Sequence, residues 1–142
     1  MGRFRIFLLL LFSFASCSSV PEAKENNKHD YVEVEHLKIS YLDVFKQEGE
    51  MYYIYYYQIS CYHCHGIKSK VIDYALNSKN LFYFVEVLED YGFLSRTKED
   101  TIGVSNPYKA FALMTPQLSK VTSGRISETY IGQEEILNII EY

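Results

Sequence analysis

The 142-residue chain has no tryptophan, only three cysteines (Cys17, Cys61 and Cys64), and neither a second C-x-x-C nor any H-x-x-H to complete a four-ligand zinc site. It has no surplus of base either: 14 Lys and Arg stand against 18 Asp and Glu, a formal charge of −4, which argues against nucleic acid and anionic membrane surfaces as partners. No internal repeat is present. The longest apolar run, Ile6 to Phe14, is shorter than the roughly 20 residues that a membrane-spanning helix needs. What remains is an ordinary apolar and charged composition at a length suited to one domain, with no compositional reason for disorder in the main body.

The first residues are set apart. Arg3 and Arg5 precede the apolar run, and Ala15-Ser16-Cys17 follows it, the order of a basic region, an apolar region and a small-residue cleavage site. The segment resembles a bacterial lipoprotein signal, with Phe14 where leucine is commoner. That resemblance implies cleavage before Cys17, diacylglycerol on its sulfur, and an extracytoplasmic, membrane-anchored protein. An ordinary secretory signal cut nearby and an uncleaved anchor are the alternatives. Loss of residues 1–16 removes Arg3 and Arg5 and no acid, so the mature balance is more acidic still. Ser18 to Asp30, without aromatic residue or periodicity, reads as a tether, so residues 17–30 are assigned to it and 31–142 to the folded domain.

The most informative motif is Cys61-Tyr62-His63-Cys64. It follows Met51 to Ile59, M-Y-Y-I-Y-Y-Y-Q-I, which is aromatic and apolar on both alternating faces and so predicts a central strand covered by helices on both sides. After it, Cys64, Ile67, Val71, Ile72, Ala75 and Leu76 recur at three- and four-residue steps and predict a helix over Cys61–Asn77. Cys61 then sits at a helix N-terminus, where unpaired N–H groups and the positive end of the macrodipole favour a thiolate. A C-x-x-C pair on a first helical turn brings its sulfurs close enough for a short-loop disulfide that can be opened and remade. His63, between the sulfurs, is expected to add positive charge and help to hold the Cys61 pKa below roughly 8.5. With Cys17 taken by lipid, the two remaining thiols leave no odd cysteine in an oxidising compartment.

Around this motif, Val32 to Ile39 alternates loosely and predicts an edge strand, and Ser40 caps a short segment over Tyr41 to Gln47. Leu81 to Leu88 predicts a second strand, completing a βαβ unit with parallel strands. Tyr91 to Asn106 reads as a loop, with a short helix near Pro107 to Ala110. Gln117–Thr122 and Ile126–Ile131, joined by Ser123-Gly124-Arg125, predict a β-hairpin. A closing helix starts near Glu134 and Glu135 and buries Ile136, Leu137, Ile139 and Ile140. The cluster Tyr52, Tyr53, Tyr55, Tyr56 and Tyr57 reads as sheet packing with hydroxyls reaching the strand edges. No partner can be named for His29 or His36.

From Met51 to Tyr142 this order resembles the thioredoxin fold: an α/β domain with a mixed central sheet flanked by helices, a βαβ unit followed by a hairpin and a C-terminal helix. In A-L-M-T-P-Q-L, Pro116 takes the place of the family's cis proline, which lies against the active-site disulfide, and the backbone of Thr115 would pair with an extended substrate segment. Gly124 and Gly132 match the family's hairpin turn and the glycine before its last helix. Two departures point away from a thioredoxin-type reductase and leave the fold untouched: Ser60 stands where tryptophan is common, and Tyr55 where many members bury an acid. The resemblance implies a thiol-disulfide oxidoreductase without cofactor, in which Cys61 attacks a client disulfide and Cys64 resolves the mixed disulfide. Its partners would be protein thiols or disulfides of the cell envelope, met as a monomer. Bacterial exported disulfide oxidants share the histidine before the second cysteine.

Three other readings of the same residues stay open at this level. Cys61-Tyr62-His63-Cys64-His65 satisfies the C-x-x-C-H haem-attachment pattern, with His65 as axial ligand. Cys61, Cys64 and His63 or His65 offer up to three metal ligands, one short of a closed zinc site. A thioredoxin-like module that binds a partner through its cleft, with the pair locked as a structural disulfide, is the non-enzymatic reading.

Overall fold

The computed structural model describes residues 28–88, 92, 94, 95 and 97–141. Residues 1–16 and most of the tether, Cys17 among them, lie outside the described residues. The aromatic run folds as strand β1, Met51–Tyr57, at an interior position of a four-stranded mixed sheet in the order β2-β1-β3-β4. Its parallel neighbour is β2, Leu81–Glu86, reached through helix α1, Tyr62–Asn77, as the βαβ reading requires. On its other side runs antiparallel β3, Gln117–Thr122, which pairs in turn with β4, Arg125–Ile131. Thr122 faces Arg125 across a two-residue turn. Ser123 and Gly124 there have φ of 50° and 71°, the doubly positive geometry that matches the twist of a tight hairpin. Helix α2, Gly132–Ile140, closes the chain.

Strand period two divides β1 between two cores. Tyr55 and Tyr57 join Cys64, Ile67, Val71 and Ile72 of α1, Ile136 and Ile140 of α2, and Phe82 and Phe84 of β2. Tyr52, Ile54 and Tyr56 join Val44, Val85, Ala110, Phe111, Val121 and Ile126. Both faces of β1 are therefore buried, but among the described residues only one carries α-helices, where the aromatic run predicts helices on both. The other is covered by segments that include the short 3₁₀ turns Tyr41–Asp43, capped by Ser40, and Pro107–Lys109. These topological features are compatible with a thioredoxin-like fold.

The expected edge strand over Val32–Ile39 is not there. Tyr31–Leu37 is a 3₁₀ helix, and pairing with β2 is reduced to a bridge at Lys38 and one bond from the Ile39 N–H to the Phe84 carbonyl. The reason is local. The Asp30 side chain accepts the Tyr31 N–H while Glu33 reaches back to the Asp30 N–H at 2.7 Å, a capping box that commits the segment to helix. Tyr31 and Val34, three residues apart, are then both buried, whereas Val32 is 74% exposed. His29 acquires partners through the same turn: its N–H reaches Ser69 of α1, and its ring lies 2.8 Å from Glu33 and 3.7 Å from Asp73. In α1 the apolar stripe ends earlier than its periodicity predicts, since Leu76 is exposed and the buried face includes the stem of Lys68.

The tyrosines pack as expected, but their hydroxyls do not all reach an edge. Tyr52 donates to the Val44 carbonyl at 2.9 Å, whereas the hydroxyls of Tyr31, Tyr55 and Tyr56 are buried with no hydrogen-bond partner of good geometry among the described residues. An unpaired buried hydroxyl costs the desolvation it cannot recover. Tyr56→Phe is therefore expected to leave stability unchanged or raise it by up to about 1 kcal/mol in urea unfolding. A loss of that size would mean that the hydroxyl has a partner.

Burial also pushes the phenols up, Tyr57 to about 12 and Tyr31, Tyr55 and Tyr56 further. A group whose folded pKa is raised stabilises the fold fully below its unfolded value and loses that contribution as pH climbs through the folded value. Stability is thus expected to hold up to about pH 10, the unfolded tyrosine range, and to fall steeply above it. Denaturant midpoints at pH 9 and 11 test this; equal midpoints would contradict it.

Candidate functional site

Strand β1 stops at Tyr57, and the chain turns through Gln58, Ile59 and Ser60, closed by the Cys61 N–H on the Gln58 carbonyl at 3.2 Å. Cys61 is the N-cap of α1 and not its first residue. Its sulfur takes the place of the oxygen that a serine or aspartate would supply and accepts the Cys64 N–H at 3.1 Å. That donor, aimed from the first helical turn, favours negative charge on Cys61 Sγ. A disulfide joins Cys61 to Cys64, their Cα atoms 5.2 Å apart. The two sulfurs differ in access: Cys64 is wholly buried in the helix-side core, and Cys61 is partly open to solvent. Such a pair has one sulfur that a large partner can approach and one that only Cys61 can.

Thr115 and Pro116 come to the same place from the far end of the chain. Their peptide bond is cis, Pro116 is buried, and the Thr115 carbonyl oxygen lies 3.5 Å from Cys61 Sγ. The Thr115 hydroxyl donates to Gln58 Oε1 at 3.2 Å, and the Pro116 carbonyl accepts the Gly132 N–H at 2.9 Å. Gly132 has φ of 84°, a left-handed conformation that suits glycine. Around the pair, Ile59, Tyr62, Leu113 and Met114 are exposed.

The two histidines of the motif go different ways. His63 is exposed on the first turn, its ring edge-on to Tyr62, and its carbonyl accepts Gln133 Nε2 from α2 at 2.9 Å. Gly66 lies under that same side chain: a Cβ there would stand 2.0 Å from Gln133 Nε2. His65 folds back, its Nε2 2.6 Å from the Ile59 carbonyl, and so pins the turn that leads into Cys61. This nitrogen and both sulfurs are thereby engaged within the chain. Among the described residues no three His, Cys, Asp or Glu side chains converge to hold a metal ion. At the start of α2, Glu135 accepts the Lys98 ammonium at 2.6 Å and the Ile131 N–H at 3.0 Å, and these bonds hold its carboxyl below the usual range.

Sequence reasoning brought Cys61, Cys64, His63, Thr115 and Pro116 to one end of the sheet, and the structure places all five there. It missed Gln58, Gln117 and Gln133, the three glutamines whose amides tie the surrounding loops. None of the three left a signal in the sequence, because each amide closes onto a segment that no periodicity relates to it. Cys17, the proposed lipid attachment site, falls outside the described residues. No protein-family model and no curated protein matches the chain. No described helix is long and apolar enough to cross a membrane.

Proposed function

We propose that this protein is a thiol-disulfide oxidoreductase of thioredoxin-like fold, held at the outer face of a bacterial membrane by lipid on Cys17. The observation that carries the activity is the asymmetric Cys61–Cys64 disulfide, one sulfur open and capped by an N–H, the other buried, beside Thr115 and Pro116. In the reducing direction, the Cys61 thiolate attacks a client S–S bond. A Cys61–client disulfide forms and one client thiolate leaves. Cys64, losing its proton to solvent or to that thiolate, attacks Cys61 Sγ, so the client is released as a dithiol and the pair is oxidised. The reverse sequence makes a client disulfide and leaves the pair reduced. His63 contributes positive potential when it carries a proton, and the Thr115 backbone receives the extended client segment. Clients are envelope proteins in this reading, because lipid on Cys17 confines the domain to that compartment.

The test is the reduction potential of the pair in a glutathione series, read by thiol alkylation and mass. A value near about −120 mV would mark a disulfide-forming oxidant and one near about −270 mV a reductase. Absence of any reversible two-electron couple would overturn the enzymatic reading and leave a cleft-binding module.

A further inference from the structure

Gln117 is the one wholly buried amide side chain among the described residues, and all its bonds but one run to the segment that precedes the Thr115 loop. Its Oε1 accepts the Ala112 N–H at 2.8 Å, and its Nε2 donates to the Ala110 carbonyl at 2.8 Å and to Ser119 Oγ at 2.8 Å. Beyond Ala112 comes Leu113, a non-glycine residue with φ of 58°, a left-handed conformation that persists only where its flanks are over-determined. One flank is the Gln117 amide on Ala110 and Ala112. The other is Thr115, tied to Gln58 through its hydroxyl. Between these two anchors the chain presents the Thr115 carbonyl to Cys61 Sγ.

We infer that Gln117 is a positioning residue that sets the reactivity of Cys61 by fixing where the Thr115 carbonyl stands against its sulfur. The sulfur lies between two opposed dipoles. The Cys64 N–H, at 3.1 Å, favours the thiolate, and the Thr115 oxygen, at 3.5 Å, is repelled by a thiolate and accepts a thiol proton. The balance depends on the position of the loop. Releasing the loop lets the oxygen withdraw, which lowers the thiol pKa, stabilises the reduced pair and makes the couple more oxidising. The inference rests on Cys61 being the reactive sulfur of the function proposed above, but its test does not need a client.

The experiment compares wild-type protein with Gln117→Met, which keeps chain length and loses all three bonds, and with Ser119→Ala, which keeps both bonds to the loop. The readouts are the thiolate titration of Cys61 in the reduced protein, the glutathione equilibrium and the thermal midpoint. Gln117→Met is expected to lower the thiol pKa and, through it, the equilibrium constant for oxidising the pair by about threefold or more. Ser119→Ala should move the thermal midpoint alone. A Gln117→Met protein that melts earlier but titrates as wild type would overturn the proposal and leave Gln117 a structural residue. If that variant does not fold, Gln117→Asn decides, because it is neutral and one methylene too short to hold Ala110 and Ala112 together: a shift of the same sign is expected, and a wild-type titration overturns the idea. A wild-type pair without a reversible couple would sink the proposed function while leaving the titration of Cys61 to be compared across these variants.

Discussion

Cys64→Ser is expected to collect as a covalent mixed disulfide between Cys61 and its clients, while Cys61→Ser loses turnover down to the uncatalysed background. The two outcomes differ because the sulfurs differ in access. With Cys64 gone, nothing inside the protein can displace a client from Cys61, so the intermediate persists until an external thiol arrives. With Cys61 gone, the remaining sulfur is wholly buried and no client can reach it. Non-reducing gels of envelope extracts, followed by mass spectrometry of the adducts, read the first result, and disulfide-reduction or oxidation assays read the second. Equal adduct formation by both single variants would contradict the assignment of roles. A double variant that retains activity would remove the pair from the chemistry altogether.

The largest effect on stability is expected at Phe84. Its ring is fully buried at the centre of the helix-side core, edge-on to Tyr31, Tyr55 and Tyr57 at centroid distances of 6.3, 5.7 and 6.3 Å and against Phe82 at 5.2 Å. The backbone of the same residue accepts the Ile39 N–H, so the strand there also carries the segment that returns from the 3₁₀ helix. Phe84→Ala is therefore expected to cost about 3–5 kcal/mol, a large share of the roughly 5–15 kcal/mol by which a domain is stable. Urea unfolding followed by circular dichroism measures it. A cost near 1 kcal/mol would mean that the surrounding rings collapse into the cavity. Phe84→Leu, which keeps more of the volume, should cost less.

Legibility in the sequence followed the range of the interactions. The βαβ unit, the hairpin and the closing helix rest on periodicities and a glycine turn within a few residues of each other, and those elements are present with ends displaced by one or two positions. Tyr31 to Leu37 was misread because V-E-V-E imitates strand alternation, while the deciding bonds, Asp30 with Glu33 and Tyr31, spell a helix start one residue upstream of the pattern. The cysteine pair was visible as a motif, and Thr115-Pro116 as a resemblance. The glutamine amides were not. Gln117 meets Ala110 and Ala112 only because a loop without regular structure folds over the end of β3, and no spacing rule predicts such a closure.

The absence of tryptophan, together with the crowding of tyrosine around β1, gives the domain a built-in optical signal. Tyr31 and Tyr57 stack with centroids 3.9 Å apart, Tyr55 lies parallel to Tyr57 at 6.1 Å, and Cys64 belongs to the same buried cluster. Emission from these rings is not masked by any indole, and a disulfide beside them drains their excited states in a way that a pair of thiols does not. Fluorescence should therefore brighten when the pair is reduced and dim when it is remade, so that electron flow through the protein can be followed in real time without a label.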